Sequence, residues 1–142
     1  MAKRETTDTI VIHCTQTPPN MDIDVDKVTQ WHKERGFDTI GYHFLIKRDG
    51  TLQEGRQQDE VGAHAVAVNG NSIGVAMVGG GTPNMGWEDN FAPIQFETLK
   101  TIIMKLKEDY NIEKVIGHYQ VDDKKECPSF DVPKWLKKHN LE

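Results

Sequence analysis

The chain has 142 residues and a mass of 16.1 kDa, enough for one domain that hides roughly 70% of the surface its unfolded form exposes. Hydrophobic residues make up 37% and charged residues 27%, which excludes a disordered composition, and no apolar run approaches the roughly 20 residues needed to span a bilayer. A formal net charge of -5 and a pI near 5.7 argue against a broad phosphate-tracking surface, so no nucleic-acid partner is expected.

In chain order, Met1-Ala2-Lys3-Arg4 runs into polar Glu5-Thr6-Thr7-Asp8 instead of an apolar stretch. Neither a signal peptide nor a membrane anchor is expected, and the chain should remain in the cytoplasm that makes it. Thr9-Ile10-Val11-Ile12-His13-Cys14 is short and β-branched and reads as a buried strand with His13 at its end. Asp24 can cap a helix to about Arg35, with Val25, Val28, Trp31 and His32 on one side and Gly36 as its stop. Tyr42-His43-Phe44-Leu45-Ile46-Lys47 and Thr51-Leu52-Gln53-Glu54 are extended segments around Asp49-Gly50, a hairpin signal.

Residues 55–71 read as irregular, and Ser72-Ile73-Gly74-Val75-Ala76-Met77-Val78 as a further apolar strand. Residues 79–90 read as loop. Pro93 suits the first turn of a helix whose Phe96, Leu99, Ile103, Leu106 and Tyr110 recur at helical spacing, a core stripe. Lys114-Val115-Ile116-Gly117 is another strand, ending at His118, and Pro133 starts a last short helix with Trp135 and Leu136 turned inward. These elements predict an α/β fold: a single domain over residues 1–142 with a mixed central β-sheet flanked by helices and its chemistry at strand ends and loops.

His13 and His118 each follow a short apolar strand, and Cys127 lies in the loop after the second. Two imidazoles and a thiolate suit zinc and would leave a fourth position for water. The residues alone leave a second reading open, two hydrogen-bonded histidines near a core and one inert buried cysteine, because no compact ligand pair is present. With only Cys14 and Cys127 in the chain, a disulfide framework is not expected. Cys14 should face away from His13 by strand alternation, and His43 away from Tyr42 by the same rule, with a packing role. His32 and His139 have no motif support.

Val11-Ile12-His13-Cys14, Gly41-Tyr42-His43-Phe44-Leu45-Ile46-Lys47-Arg48-Asp49-Gly50, Asn71-Ser72-Ile73-Gly74-Val75 and Cys127-Pro128-Ser129-Phe130-Asp131 occur in this order. By these motifs the chain resembles the type 2 N-acetylmuramoyl-L-alanine amidase family, and within it the T7-like bacteriophage lysozymes (endolysins), amidases related to peptidoglycan recognition proteins. The resemblance runs from about residue 5 to 139. It implies a zinc ion on His13, His118 and Cys127 in a surface cleft, Tyr42 and Lys125 as catalytic side chains, and His64 in the substrate cleft. The segment between His118 and Cys127 is one residue longer than in those phage lysozymes, so Lys124 and Lys125 compete; Lys125 matches the family position two before the cysteine.

The reaction so implied is hydrolysis of the amide between N-acetylmuramic acid and L-alanine in bacterial peptidoglycan, during host-cell lysis. No glutamate base is identified by motif. A monomer is expected, with peptidoglycan as partner and no membrane contact, reaching the wall from the host cytoplasm once a separate holin-type pore opens. The resembled phage lysozymes also bind and inhibit a phage RNA polymerase, and a binding role of that kind, or a non-catalytic peptidoglycan-binding module, is the alternative. The segment before Ile10 is shorter than in those relatives, which leaves the polymerase contact open.

Overall fold

Five short strands form one mixed sheet in the computed structural model, which describes residues 2–142. In chain order they are β1 (Thr9–Cys14), β2 (Phe44–Ile46), β3 (Leu52–Glu54), β4 (Ser72–Met77) and β5 (Lys114–Gly117), arranged β3-β2-β4-β1-β5. Only β2 and β3 run antiparallel. Parallel β4 and β5 flank β1, with Val11 opposite Gly74 and Ile116. Among the described residues no helix is long and apolar enough to cross a membrane.

The hairpin forms where Asp49-Gly50 predicts it. The Lys47 and Thr51 backbones close the loop at 2.9 Å, the Asp49 carboxylate accepts the Thr51 N–H, and Gly50 takes a φ of +88° that an L side chain resists. Helix α1 (Val25–Glu34) is capped by Asp24, whose carboxylate accepts the Lys27 N–H, and ends before Gly36 at φ +96°. Helix α2 (Pro93–Asp109) begins at proline, and α3 (Val132–Lys138) is capped by Asp131.

Alternation along the strands separates two cores. Ile10 and Ile12 of β1, Phe44 and Ile46 of β2, and Ile73, Val75 and Met77 of β4 meet Leu99, Ile102, Ile103 and Leu106 of α2 and Leu136 of α3. Phe96, Tyr110 and Trp135 pack half-buried at its margin. Each such aliphatic side chain is worth about 1.5–3 kcal/mol of burial, so the stripe fixes α2 on this face. On the opposite face α1 covers only the β2–β4 side, where Val28 packs with Ile23, Ile40, Leu45, Ala76 and Val78. That leaves the face of β1 and the end of β5 for polar groups.

Residues 55–71 are less irregular than the sequence suggests. A short 3-10 helix spans Val66–Asn71, too brief to show a periodicity. Its Asn69 side chain accepts the backbone N–H groups of His64 and Ala65 at 2.9 Å and so fixes the segment carrying His64.

Candidate metal centre

The last two residues of β1 divide between the faces. Cys14 lies on the α2 side, its sulfur 3.8 Å from the Ser129 hydroxyl and pressed against Gly80, where a Cβ would come within 2.6 Å of it. His13 lies on the other side and is buried, with ring centroids 4.6 Å from His118, 4.9 Å from His64 and 5.0 Å from Tyr42. His118 opens a turn of 3-10 helix directly after β5. Cys127 closes the following loop, and its sulfur accepts the Cys14 N–H at 3.0 Å.

One ligand atom each from His13, His118 and Cys127 lies within 4.8 Å of the others. A tetrahedral ion with bonds of about 2.0–2.3 Å would hold these atoms about 3.3–3.6 Å apart, so binding would draw the side chains slightly inward. The protonation states also suit a cation. Burial, then repulsion from His64 and His118, holds the His13 imidazole well below its ordinary pKa, and burial lowers His118 against the opposing pull of Asp122. Both rings therefore keep a lone pair at neutral pH. Burial pushes the Cys127 thiol up, so its proton leaves only when a cation stands beside it. The residues present thus fit a zinc ion.

The three groups lie in the wall of a cavity of about 350 Å³ that also takes in Tyr42, His64 and Lys125. Burial raises the Tyr42 hydroxyl above its ordinary range, with the cysteines adding to the effect, so it remains a proton donor. Lys125 is exposed and lines the cavity; Lys124 is exposed and does not. His64 is buried with both ring nitrogens engaged, Nδ1 2.8 Å from His13 Nε2 and Nε2 3.3 Å from the Ser72 hydroxyl. Burial carries its pKa down to about 3.

His43 does not face away from Tyr42 as alternation predicts; it keeps the Leu45 side, and Tyr42 joins it there. β2 starts only at Phe44, so Tyr42 and His43 precede the regular pleat, and both rings join the same histidine-rich layer: Tyr42 beside His13, His43 5.6 Å from His64. Its role is nonetheless structural. His43 Nδ1 accepts the Gly74 N–H at 3.0 Å, and Nε2 lies 2.7 Å from the Glu60 carbonyl. His32 is also buried, accepting the Gly41 N–H at 2.8 Å, and His139 is half-buried against Trp135.

Two further charged groups of this cavity belong to no motif. Asp122, four residues after His118, brings a carboxylate oxygen to 3.9 Å from His118 Nε2. Arg35, the C-terminal cap of α1, holds its guanidinium 5.1 Å from the Phe37 ring at the rim. The spacing of Asp122 was the one available signal; Arg35 carried none beyond ending a helix.

Residues 3–130 match the family model described as N-acetylmuramoyl-L-alanine amidase. The chain is 42% identical over 139 residues to the endolysin of Klebsiella phage KP32 and equally to that of Escherichia phage T7, covering 98% of this chain and 91% of each relative. Its fold is similar to the solved N-acetylmuramoyl-L-alanine amidase LysC from Clostridium intestinale URNW, with a TM-score of 0.81, 33% identity, and 96% of this chain and 87% of that one covered.

Proposed function

The chain belongs to the N-acetylmuramoyl-L-alanine amidase family, and on that premise we propose that His13, His118 and Cys127 hold a zinc ion beside which Tyr42 and Lys125 act on the scissile amide. The activity is hydrolysis of the bond between N-acetylmuramic acid and L-alanine in peptidoglycan, the part an endolysin plays in lysis. One observation carries the zinc assignment: two imidazoles held neutral by burial and a buried thiol converge within 4.8 Å in the wall of an open cavity.

Zinc at this place would polarise the amide carbonyl and make a water acidic enough to attack near neutral pH. The chain's own residues supply the rest. Tyr42, protonated and half-buried beside His13, can donate a hydrogen bond to the carbonyl oxygen as it gains negative charge. Lys125, at the cavity wall, adds a positive charge for that oxygen and can pass a proton to the nitrogen. Water's oxygen ends on the lactyl carbonyl carbon and the C–N bond breaks; the stem peptide leaves with its L-alanine as a neutral amine, while of the two protons of the water one restores Lys125 and the other passes to solvent. Cys14 takes no ligand role; its backbone N–H orients the Cys127 sulfur.

Elemental analysis after dialysis against a mild chelator tests the ligand set. One zinc per chain is expected in the native protein and a sharp loss in Cys127→Ala. Near-stoichiometric zinc in that variant would show the set to be wrong.

A further inference from the structure

We infer that His64 is a positioning residue for the metal ligand His13: a one-way hydrogen-bond chain ending on the Val68 carbonyl fixes the tautomer of His13 so that Nδ1 faces the ion. The inference rests on the metal site proposed above, and its direction follows from counting protons. The Val68 carbonyl can only accept, and the Ser72 hydroxyl lies 2.6 Å from it, so the single hydroxyl proton of Ser72 points there. Ser72 Oγ is then an acceptor towards His64 Nε2 at 3.3 Å, and that nitrogen carries a proton. In a neutral His64 ring Nδ1 is left with a lone pair. His13 Nε2, 2.8 Å away, must therefore be the donor, and the remaining lone pair of His13 sits on Nδ1.

The surroundings hold this chain in one place. His64 packs against bare backbone at Gly62 and Gly74, where an added Cβ would come within 2.5 and 2.6 Å of ring atoms. Asn69 pins the backbone N–H of His64, and Ser72 opens β4 with no exposed surface. With both ring nitrogens occupied inside the protein, His64 has no donor or acceptor left for substrate. Its contribution passes through His13.

The test reads two quantities. In the zinc-free protein, nitrogen-15 NMR of the imidazoles should show His13 protonated at Nε2 and lone-paired at Nδ1. His64→Leu, which removes the acceptor at similar bulk, should lose that preference and bind zinc about 10–100-fold more weakly in chelator competition. His64→Asn, whose side-chain oxygen can occupy the Nδ1 position, should recover much of both, and Ser72→Ala should show a smaller loss of the same kind. Backbone amide spectra establish that each variant keeps the fold; if His64→Leu does not, the other two carry the comparison. A native His13 protonated at Nδ1, or native zinc affinity in folded His64→Leu and Ser72→Ala, would overturn the inference. A native protein that binds no zinc while showing the Nε2-protonated His13 would instead count against the metal site and leave the tautomer assignment standing.

Discussion

Replacing Lys125 by alanine separates charge at the cavity wall from metal binding. Lys125 is tied to the fold through its backbone N–H, 3.1 Å from the Asp122 carbonyl, a bond alanine keeps, and it is not among the three converging ligands. Fold and zinc content are therefore expected to stay native. Removing one buried donor to a developing oxyanion typically costs about 10²–10³ in turnover. Lys125 is exposed, so solvent screens part of its charge and the lower end, about 10², is expected. Lys124→Ala is the control: it keeps its backbone bond to the Asp122 carboxylate, its side chain lies outside the cavity lining, and an effect within about twofold follows from the usual range for surface changes. The assay is turnover on purified peptidoglycan at matched zinc content. Near-native turnover in Lys125→Ala would remove Lys125 from the chemistry, and a large loss in Lys124→Ala alone would hand the role to the neighbouring lysine.

Tyr42→Phe keeps the ring beside His13 and loses only the hydroxyl; zinc should remain, and turnover should fall by about 10², while unchanged turnover would remove Tyr42 from the chemistry. Gln95 is fully buried and ties α2 to the sheet, accepting the Ala92 N–H and donating to the Val78 and Ile46 carbonyls. Gln95→Ala should cost about 1–3 kcal/mol in urea unfolding, and an unshifted midpoint would contradict that account. Burial holds buried His32 and His43 down to about 4, from 6.5. Between these values the unfolded chain binds more protons than the folded one, so stability present above 6.5 is lost as pH falls towards 4, by on the order of 3 kcal/mol for His43 and less for the less deeply buried His32. The unfolding midpoint of the zinc-free protein should therefore drop already between neutrality and about pH 5, above the range where carboxylates titrate; a flat profile there would show these rings are not held neutral.

The elements readable in the sequence are those whose signal is local. β1 is six residues of β-branched and small apolar character, the hairpin has Asp49-Gly50, and α2 has its stripe. The two imidazoles were visible as residues ending strands, but their convergence with Cys127 depends on β5 lying beside β1, a pairing across the whole chain that spacing alone does not give. The family motifs supplied what spacing could not. Tyr42 and His43 show where a local rule misleads, because alternation applies only inside a regular pleat and β2 begins one residue later. Gln95 is a polar side chain in α2, and nothing nearby in sequence announces the carbonyls it reaches 17 and 49 residues away. The His64 bond to His13 spans 51 residues and is equally silent.

A metal triad with no motif-supported pair of carboxylates is built for amide hydrolysis and not for glycan cleavage. Purified cell wall digested by the zinc-loaded protein should release new free L-alanine amino termini, in numbers that fall together with zinc content when the metal is withdrawn. New reducing sugar ends without new L-alanine termini would contradict the account.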